Sequence, residues 1–242
     1  MKYGLLGDIH GNLEALDAVL AALARRGVGA WICVGDIVGY GADPHLCIER
    51  VRALPNLLAV AGNHDWAVIG RIQLFQFNPT AHAALLWTRE RLPAEDREFL
   101  ARLPLVVETD RLTVVHGSLD EPALFEYIQT PAQALRTMRR LHTPVGFLGH
   151  SHVSGFFRFD GRRIDILSGD AERVDPAARL LVNIGSVGQP RDDDARASFG
   201  VYDDASGLVE LFREPYDIAM AARKIQEAGL PPLLAERLGF GR

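Results

Sequence analysis

The 242-residue chain has only two lysines, two cysteines and no long apolar run. A membrane helix needs about 20 predominantly apolar residues. The longest charge-free stretches, 141–157 and 72–88, are broken by His, Asn, Pro, Ser or Thr, so no membrane span is expected. Two cysteines exclude a disulfide-stapled miniature; Cys33 in an apolar strand pattern and Cys47 in a helical one read as buried free thiols. Neither Lys2 nor Lys224 ends a Gly-x4-Gly-Lys phosphate loop, and no Gly-x-Gly-x-x-Gly fingerprint occurs. Gly149-His150-Ser151-His152-Val153 lacks the closing glycine of a nucleophile elbow. The net charge of −5 argues against a dedicated nucleic-acid binder, and the excess of arginine over lysine reads as genome composition. Repeats, linkers and low-complexity segments are also missing. The N-terminus runs straight into a strand pattern without a cleavable apolar region, and a cytoplasmic protein is expected.

What is present is an enzyme-like balance of 48% hydrophobic and 24% charged residues, fitting one large mixed domain over 1–242. Strand and helix patterns alternate through the first sixty residues: 3–7, helix 12–26, 30–34, helix 44–54, then 57–61. Such alternation builds a parallel sheet covered by helices, with chemistry beyond the carboxyl ends of the strands. Residues 66–103 look helical, broken by Pro79 and Pro93. Short strand patterns then dominate, at 105–108, 112–116, 146–149, 156–159, 164–167, 180–184, 199–202 and 209–212. Helices are expected at 131–141 and 217–228.

Polar residues punctuate the ends of the apolar runs. The first three runs end in Asp8-Ile9-His10-Gly11-Asn12, Gly35-Asp36 and Gly62-Asn63-His64-Asp65. Two later ones end in His116-Gly117 and Gly149-His150-Ser151-His152. Five of the eight histidines fall at these junctions; His45, His82 and His142 read as ordinary surface or helix residues. Residues two apart on an extended segment point the same way, so Asp8 with His10, and His150 with His152, can each grip one ion. Carboxylate and imidazole together suit manganese, iron or zinc rather than calcium.

This ordered set resembles the calcineurin-like metallophosphoesterase superfamily, and Asn183-Ile184-Gly185-Ser186 resembles a turn common in its small bacterial phosphodiesterase-like branch. The resemblance implies an α/β fold, a four-layer α/β/β/α sandwich with mixed β-sheets. It also implies two divalent metal ions, manganese first, with iron, zinc or nickel as alternatives. One ion would take Asp8, His10 and His152, and the other Asn63, His116 and His150, with Asp36 bridging. His64 would face the substrate and stabilise charge or protonate the leaving oxygen, Asp65 would orient that imidazole, and Asn12 would approach the phosphate. A hydroxide held between cations about 3.5–4 Å apart would attack phosphorus in line. The implied activity is a phosphodiesterase or broad phosphatase on a small phosphoester or nucleotide.

Two departures stand out. Tyr40 occupies the position where phosphoprotein phosphatases carry an arginine, removing one route to bidentate phosphate binding and disfavouring phosphoserine or phosphothreonine. Ile184 stands in place of the usual proline of the turn. The rival reading is a non-catalytic scaffold of the same fold; retention of His64 and every expected ligand speaks against it. Segments 66–103 and 119–130 follow His64-Asp65 and His116 directly and should wall the site. Arg71, Phe75, Phe77, Trp87, Phe125 and Tyr127 are candidates to meet the substrate there, or else pack the segments. Arg191-Asp192-Asp193-Asp194 reads as a solvated turn. The tail 216–242 reads as a packing arm or a contact surface, and a monomer and a homo-oligomer are both open.

Overall fold

In the computed structural model, which describes residues 1–242, the N-terminal alternation becomes β1 (Lys2–Leu6), α1 (Leu13–Arg25), β2 (Ala30–Cys33), α2 (Pro44–Arg52), β3 (Leu57–Ala59) and α3 (Asn63–Val68). Next come α4 (Pro79–Arg91), α5 (Ala94–Arg102), β4 (Val106–Glu108), β5 (Leu112–Val115), α6 (Pro131–Arg140) and β6 (Val145–Leu148). The chain continues with β7 (Gly155–Phe159), β8 (Ile164–Leu167), β9 (Ala171–Arg173), β10 (Arg179–Asn183), β11 (Ala197–Asp203) and β12 (Leu208–Glu214). It closes with α7 (Ile218–Glu227) and α8 (Pro232–Leu238). Of these, β9 and α8 have no counterpart among the sequence expectations. β9 is a three-residue edge strand with no buried residue, and α8 is a seven-residue helix of about two turns after Pro231, so neither offers a periodic pattern long enough to read.

The local causes are visible in α1. The Asn12 side chain accepts the Ala15 N–H at 3.2 Å, and Leu16, Val19 and Leu23 bury one stripe at helical spacing. Gly27, at φ +67, lets the chain leave in a left-handed conformation.

The strands form two six-stranded mixed sheets. One runs β3-β2-β1-β11-β12-β9 and the other β4-β5-β6-β10-β7-β8. Strands β1, β2 and β3 are parallel, as are β5, β6 and β10. Period-two alternation sorts the side chains of the first sheet. Leu6, Cys33 and Trp31 pack towards α1, α2 and the 66–103 helices, whereas Leu5, Ile32 and Val34 pack towards the second sheet. There they meet Val145, Phe147, Phe156 and Val182 in a core shared by both sheets. On the far face, Ala134, Met138 and Leu141 of the α6 region cover Phe157 and Leu181. The result is the α/β/β/α sandwich. Phe147 and Phe156 are fully buried, and truncating either to alanine should cost about 3–5 kcal/mol.

The tail is an intramolecular arm. Ile225, Leu234 and Leu238 pack on Tyr40, Ala81 and Ala84, and the Trp87 indole N–H donates to Ala228 O at 3.0 Å. Lys224 closes the contact on Asp43, at 2.8 Å, and on Glu14. Cys33 and Cys47 are free and fully buried, and burial pushes the Cys33 thiol up to about 12.

Candidate metal centre

The parallel strands of both sheets end on one side, and the polar junctions gather there. Backbone bonds tie the loops together: Asp8 N–H to Gly35 O (2.9 Å), His10 N–H to Asp36 O (3.0 Å) and Gly149 N–H to His116 O (3.1 Å). Six residues of these loops, Asp8, His10, Asp36, Tyr40, His150 and His152, have φ between +47 and +67. Left-handed backbone costs non-glycine residues on the order of 1–3 kcal/mol each and persists only where the surroundings enforce it. This corrects the extended-segment argument: Asp8-x-His10 and His150-x-His152 lie past the strand ends in left-handed conformation. The second pair also splits between two groups. Glycine is required where the loops touch, since a Cβ on Gly149 would overlap the Asp8 carboxylate and one on Gly62 the Asp36 carboxylate.

The first group holds Asp8, His10 and His152. Each imidazole sets its Nδ1 against a backbone carbonyl, His10 on Val38 O at 3.1 Å and His152 on Gln189 O at 2.6 Å. The carbonyl takes the Nδ1 proton, so each Nε2 presents a lone pair. Those two nitrogens face each other at 3.0 Å, with Asp8 Oδ1 3.3 Å from His152 Nε2. Burial pushes both histidines down, so neither carries a spare proton at neutral pH. Two acceptors at this distance cannot satisfy one another; a shared cation satisfies both.

In the second group His116 is held in the same way. His116 Nδ1 donates to Val34 O at 2.8 Å, leaving Nε2 3.0 Å from His150 Nδ1, 3.1 Å from Asn63 Oδ1 and 3.4 Å from Asp36 Oδ2. Asp36 stands between the groups, its Oδ2 also 3.6 Å from His10 Nε2. Burial opposes charge on both Asp36 and His116, but each sustains the other, holding Asp36 well below the carboxylate range and lifting His116 to about 9. The ligand atoms of Asp8, His10 and His152 lie within 4.8 Å of one another, as do those of Asp36, His116 and His150, and all six side chains are buried, while Asn63 is half-buried. The donor set fits divalent metal ions.

His64 lies beside this centre, its ring 4.7 Å from His10, 4.6 Å from Tyr40 and 5.2 Å from Phe77. Burial pushes it down to about 4, and its buried Nδ1 has no hydrogen-bond partner. Asp65 does not orient that imidazole. It sits in the first turn of α3 and accepts the N–H groups of Gly62 (2.9 Å), Asp36 (2.8 Å), Ile37 (2.9 Å) and Val38 (3.3 Å). Its work is to hold the Asp36 loop, because a carboxylate at that helix position reaches back to free N–H groups more readily than forward to its neighbour.

Two other expected contacts go elsewhere. Asn12 spends its amide on capping α1 and on Gly188 O at 2.9 Å, so it belongs to the scaffold rather than to the phosphate. Arg71 turns its guanidinium onto Ala101 O at 3.0 Å and over the Trp66 ring. Phe75 is 77% exposed and Trp87 anchors the tail, whereas Tyr40, Phe77, Phe125 and Tyr127 line a cleft of about 330 Å³ that opens on His64 and His150.

Arg191 was missed. The three acids after it are each answered by another arginine, Asp192 by Arg213, Asp193 by Arg242 and Asp194 by Arg196. Its own guanidinium instead reaches the Tyr40 hydroxyl at 3.3 Å and Gln189 Oε1 at 3.0 Å, with Nε buried and unpartnered. The cation depresses the pKa of His10, His64 and His152, which places it in the field of the centre. The only sequence signal was one arginine ahead of three acids. Ile184 is explained as well: its N–H donates to Leu148 O at 3.0 Å, a bond that proline lacks.

Comparison with known proteins agrees with this geometry. A family model described as the calcineurin-like phosphoesterase superfamily domain matches residues 1–206, leaving the α7–α8 arm outside the match. An uncharacterized protein of Methanocaldococcus jannaschii is 38% identical over 242 residues, 98% of this chain and 97% of its own. The crystal structure of a metallophosphoesterase from Sphaerobacter thermophilus is similar over 100% of both chains, with a TM-score of 0.89 and 38% identity. A hypothetical protein from Pyrococcus horikoshii shares the fold with a TM-score of 0.81 and 21% identity, over 100% of this chain and 98% of that one.

Proposed function

The chain belongs to the calcineurin-like phosphoesterase superfamily, and from that premise we propose that it hydrolyses small phosphoesters, as a phosphodiesterase or broad phosphatase, at a centre of two divalent cations. The observation that carries this reading is the pair of converging acceptor sets, Asp8–His10–His152 and Asn63–His116–His150, with the Asp36 carboxylate between them. When bound, the cations supply charge that neutralises the phosphoryl oxygens and acidifies an attacking water. Manganese suits the mixed oxygen and nitrogen donors.

The chain's own residues do the rest. Val38, Gln189 and Val34 carbonyls fix the imidazole tautomers, so the ligands are set before substrate arrives. His64, kept neutral by burial, donates a hydrogen bond to the ester oxygen of the leaving group. Arg191 and Tyr40 close the side of the centre next to His10 and His64, in place of the arginine that phosphoprotein phosphatases carry at the Tyr40 position. In the net reaction the water oxygen forms a new bond to phosphorus, the bond to the alcohol oxygen breaks, and that oxygen leaves with a proton. The ligand set speaks for a catalyst rather than a scaffold, because every expected ligand is present and His64, Asn63 and His150 open onto one cleft.

The test is hydrolysis of bis-p-nitrophenyl phosphate beside p-nitrophenyl phosphate, after loading metal-stripped protein with Mn²⁺ and counting bound metal. Two metals with turnover of either ester are expected, and faster diester cleavage assigns a phosphodiesterase. Two bound metals with no turnover across a wide ester panel would hand the reading to a scaffold.

A further inference from the structure

Beside His64 and His150 the cleft is lined by thirteen residues, and none is a lysine, arginine, aspartate or glutamate. That is unusual next to a centre built for an anion, and it separates the cleft from the phosphate position. Its walls come from two segments far apart in the chain. Phe77 and the exposed amides of Gln76 and Asn78 come from the turn before α4, and Phe125 and Tyr127 from the loop before α6. Tyr127 lays one face on the His150 imidazole, with centroids 3.9 Å apart and planes 11° apart, yet 43% of the residue stays exposed. Phe125 is held edge-on to Trp66 and His116 by a left-handed backbone at φ +52, and Glu121 at the start of the same loop has φ +60. Such backbone persists only where the surroundings enforce it.

We propose that this cleft receives the leaving group of the ester as a flat, uncharged heteroaromatic ring, so that the substrates are nucleoside phosphoesters whose base rests on Tyr127 and meets the amides of Gln76 and Asn78. The inference rests on the phosphoesterase reading for its orientation. Three features support it. The cleft is continuous with the centre through His64 and His150, so one molecule spans both. Aromatic faces bind a base by stacking, which needs no charge. The Asn78 carbonyl is spent on capping α4 through Ala81 N–H at 3.0 Å, leaving its N–H2 as a donor, and the Gln76 amide is free to donate and accept. This pairs with the edge of a base better than with an alkyl chain or a phosphorylated peptide, which would leave the amides unanswered.

The experiment is calorimetric titration of the Mn²⁺-loaded protein with phosphonate analogues of AMP and of ribose 5-phosphate, which differ only in the base and resist hydrolysis. The base should tighten binding about tenfold, or 1.4 kcal/mol. Tyr127→Ala should abolish that difference, and Tyr127→Phe, which keeps the ring, should preserve it. Equal affinities in the wild type, or a difference that survives Tyr127→Ala, would overturn the proposal. So would a hexyl phosphonate binding as tightly as the AMP analogue. Bis-p-nitrophenyl phosphate turnover is followed on the same samples. Turnover without base discrimination removes only the cleft assignment, whereas base discrimination with no turnover of any ester supports the cleft and removes the proposed hydrolase.

Discussion

Across the cleft, the metal centre and the aromatic wall differ in what holds their side chains. At the centre the His10, His116 and His152 imidazoles are fixed at their far nitrogens by backbone carbonyls, the Asp8 and Asp36 carboxylates accept backbone N–H groups, and the loops interlock through strained φ values. The side chains of the wall are held by ring packing: Phe77 edge-on to His64, Phe125 edge-on to Trp66, Tyr127 flat on His150. Directional bonds fix positions to tenths of an ångström, whereas ring contacts tolerate sliding. On the proposed reading the centre serves one geometry that suits any phosphoester, and the wall the choice among leaving groups.

His64 stands on the border, and it gives the sharpest break. His64→Ala should retain both metals and lose turnover by about 10²–10⁴-fold, the usual contribution of a positioned proton donor. Metal counting beside kcat decides it, and near-normal turnover with intact metal would move His64 into the wall. Asp65 comes next. If it holds the Asp36 loop through four N–H groups, Asp65→Asn, which turns an amide donor towards them, should destabilise the fold by about 3 kcal/mol, a fall in Tm of roughly 6–12 °C. An unchanged Tm with reduced kcat would return Asp65 to the role of orienting the imidazole.

The smallest effect uses a histidine outside both regions. His45 lies 2.6 Å from the fully buried Asp96 carboxylate, and that hydrogen bond raises its pKa, opposite in sign to the burial that lowers His10, His150 and His152. A raised folded-state pKa stabilises the protein fully below the ordinary value of 6.5 and the gain is lost as pH rises through the folded value. The stability difference between wild type and His45→Gln should therefore shrink from pH 5.5 towards 9. It should amount to at most about 1 kcal/mol, because the imidazole is 41% exposed and screened by water. Denaturation midpoints across that range measure it, and a difference independent of pH would remove the ion pair.

The centre was far more legible than the wall. Its ligands are rare residue types at the ends of apolar runs, so they stand out one junction at a time. The strands and most helices were readable for the same reason, since periods of two and 3.6 are local. The orienting role that the resemblance implied for Asp65 differs from the contacts it makes, because a carboxylate in a first helical turn finds N–H groups nearer. Asn12 was misassigned because capping a helix and approaching a phosphate call for the same amide. Arg71, Phe75 and Trp87 could not be told from Phe77, Phe125 and Tyr127, because all six are exposed-looking residues in irregular segments.

What the amino-acid order determined by itself is the alternation of elements and the chemistry of the ligands, since both follow from near neighbours. What only the tertiary structure decided is how those side chains are held and what surrounds them. His10 meets His152 across 142 residues, and Arg191 reaches Tyr40 across 151. The field of Arg191 and the uncharged cleft both depend on how the two sheets pack, and that packing is a property of the assembled core rather than of any segment within it.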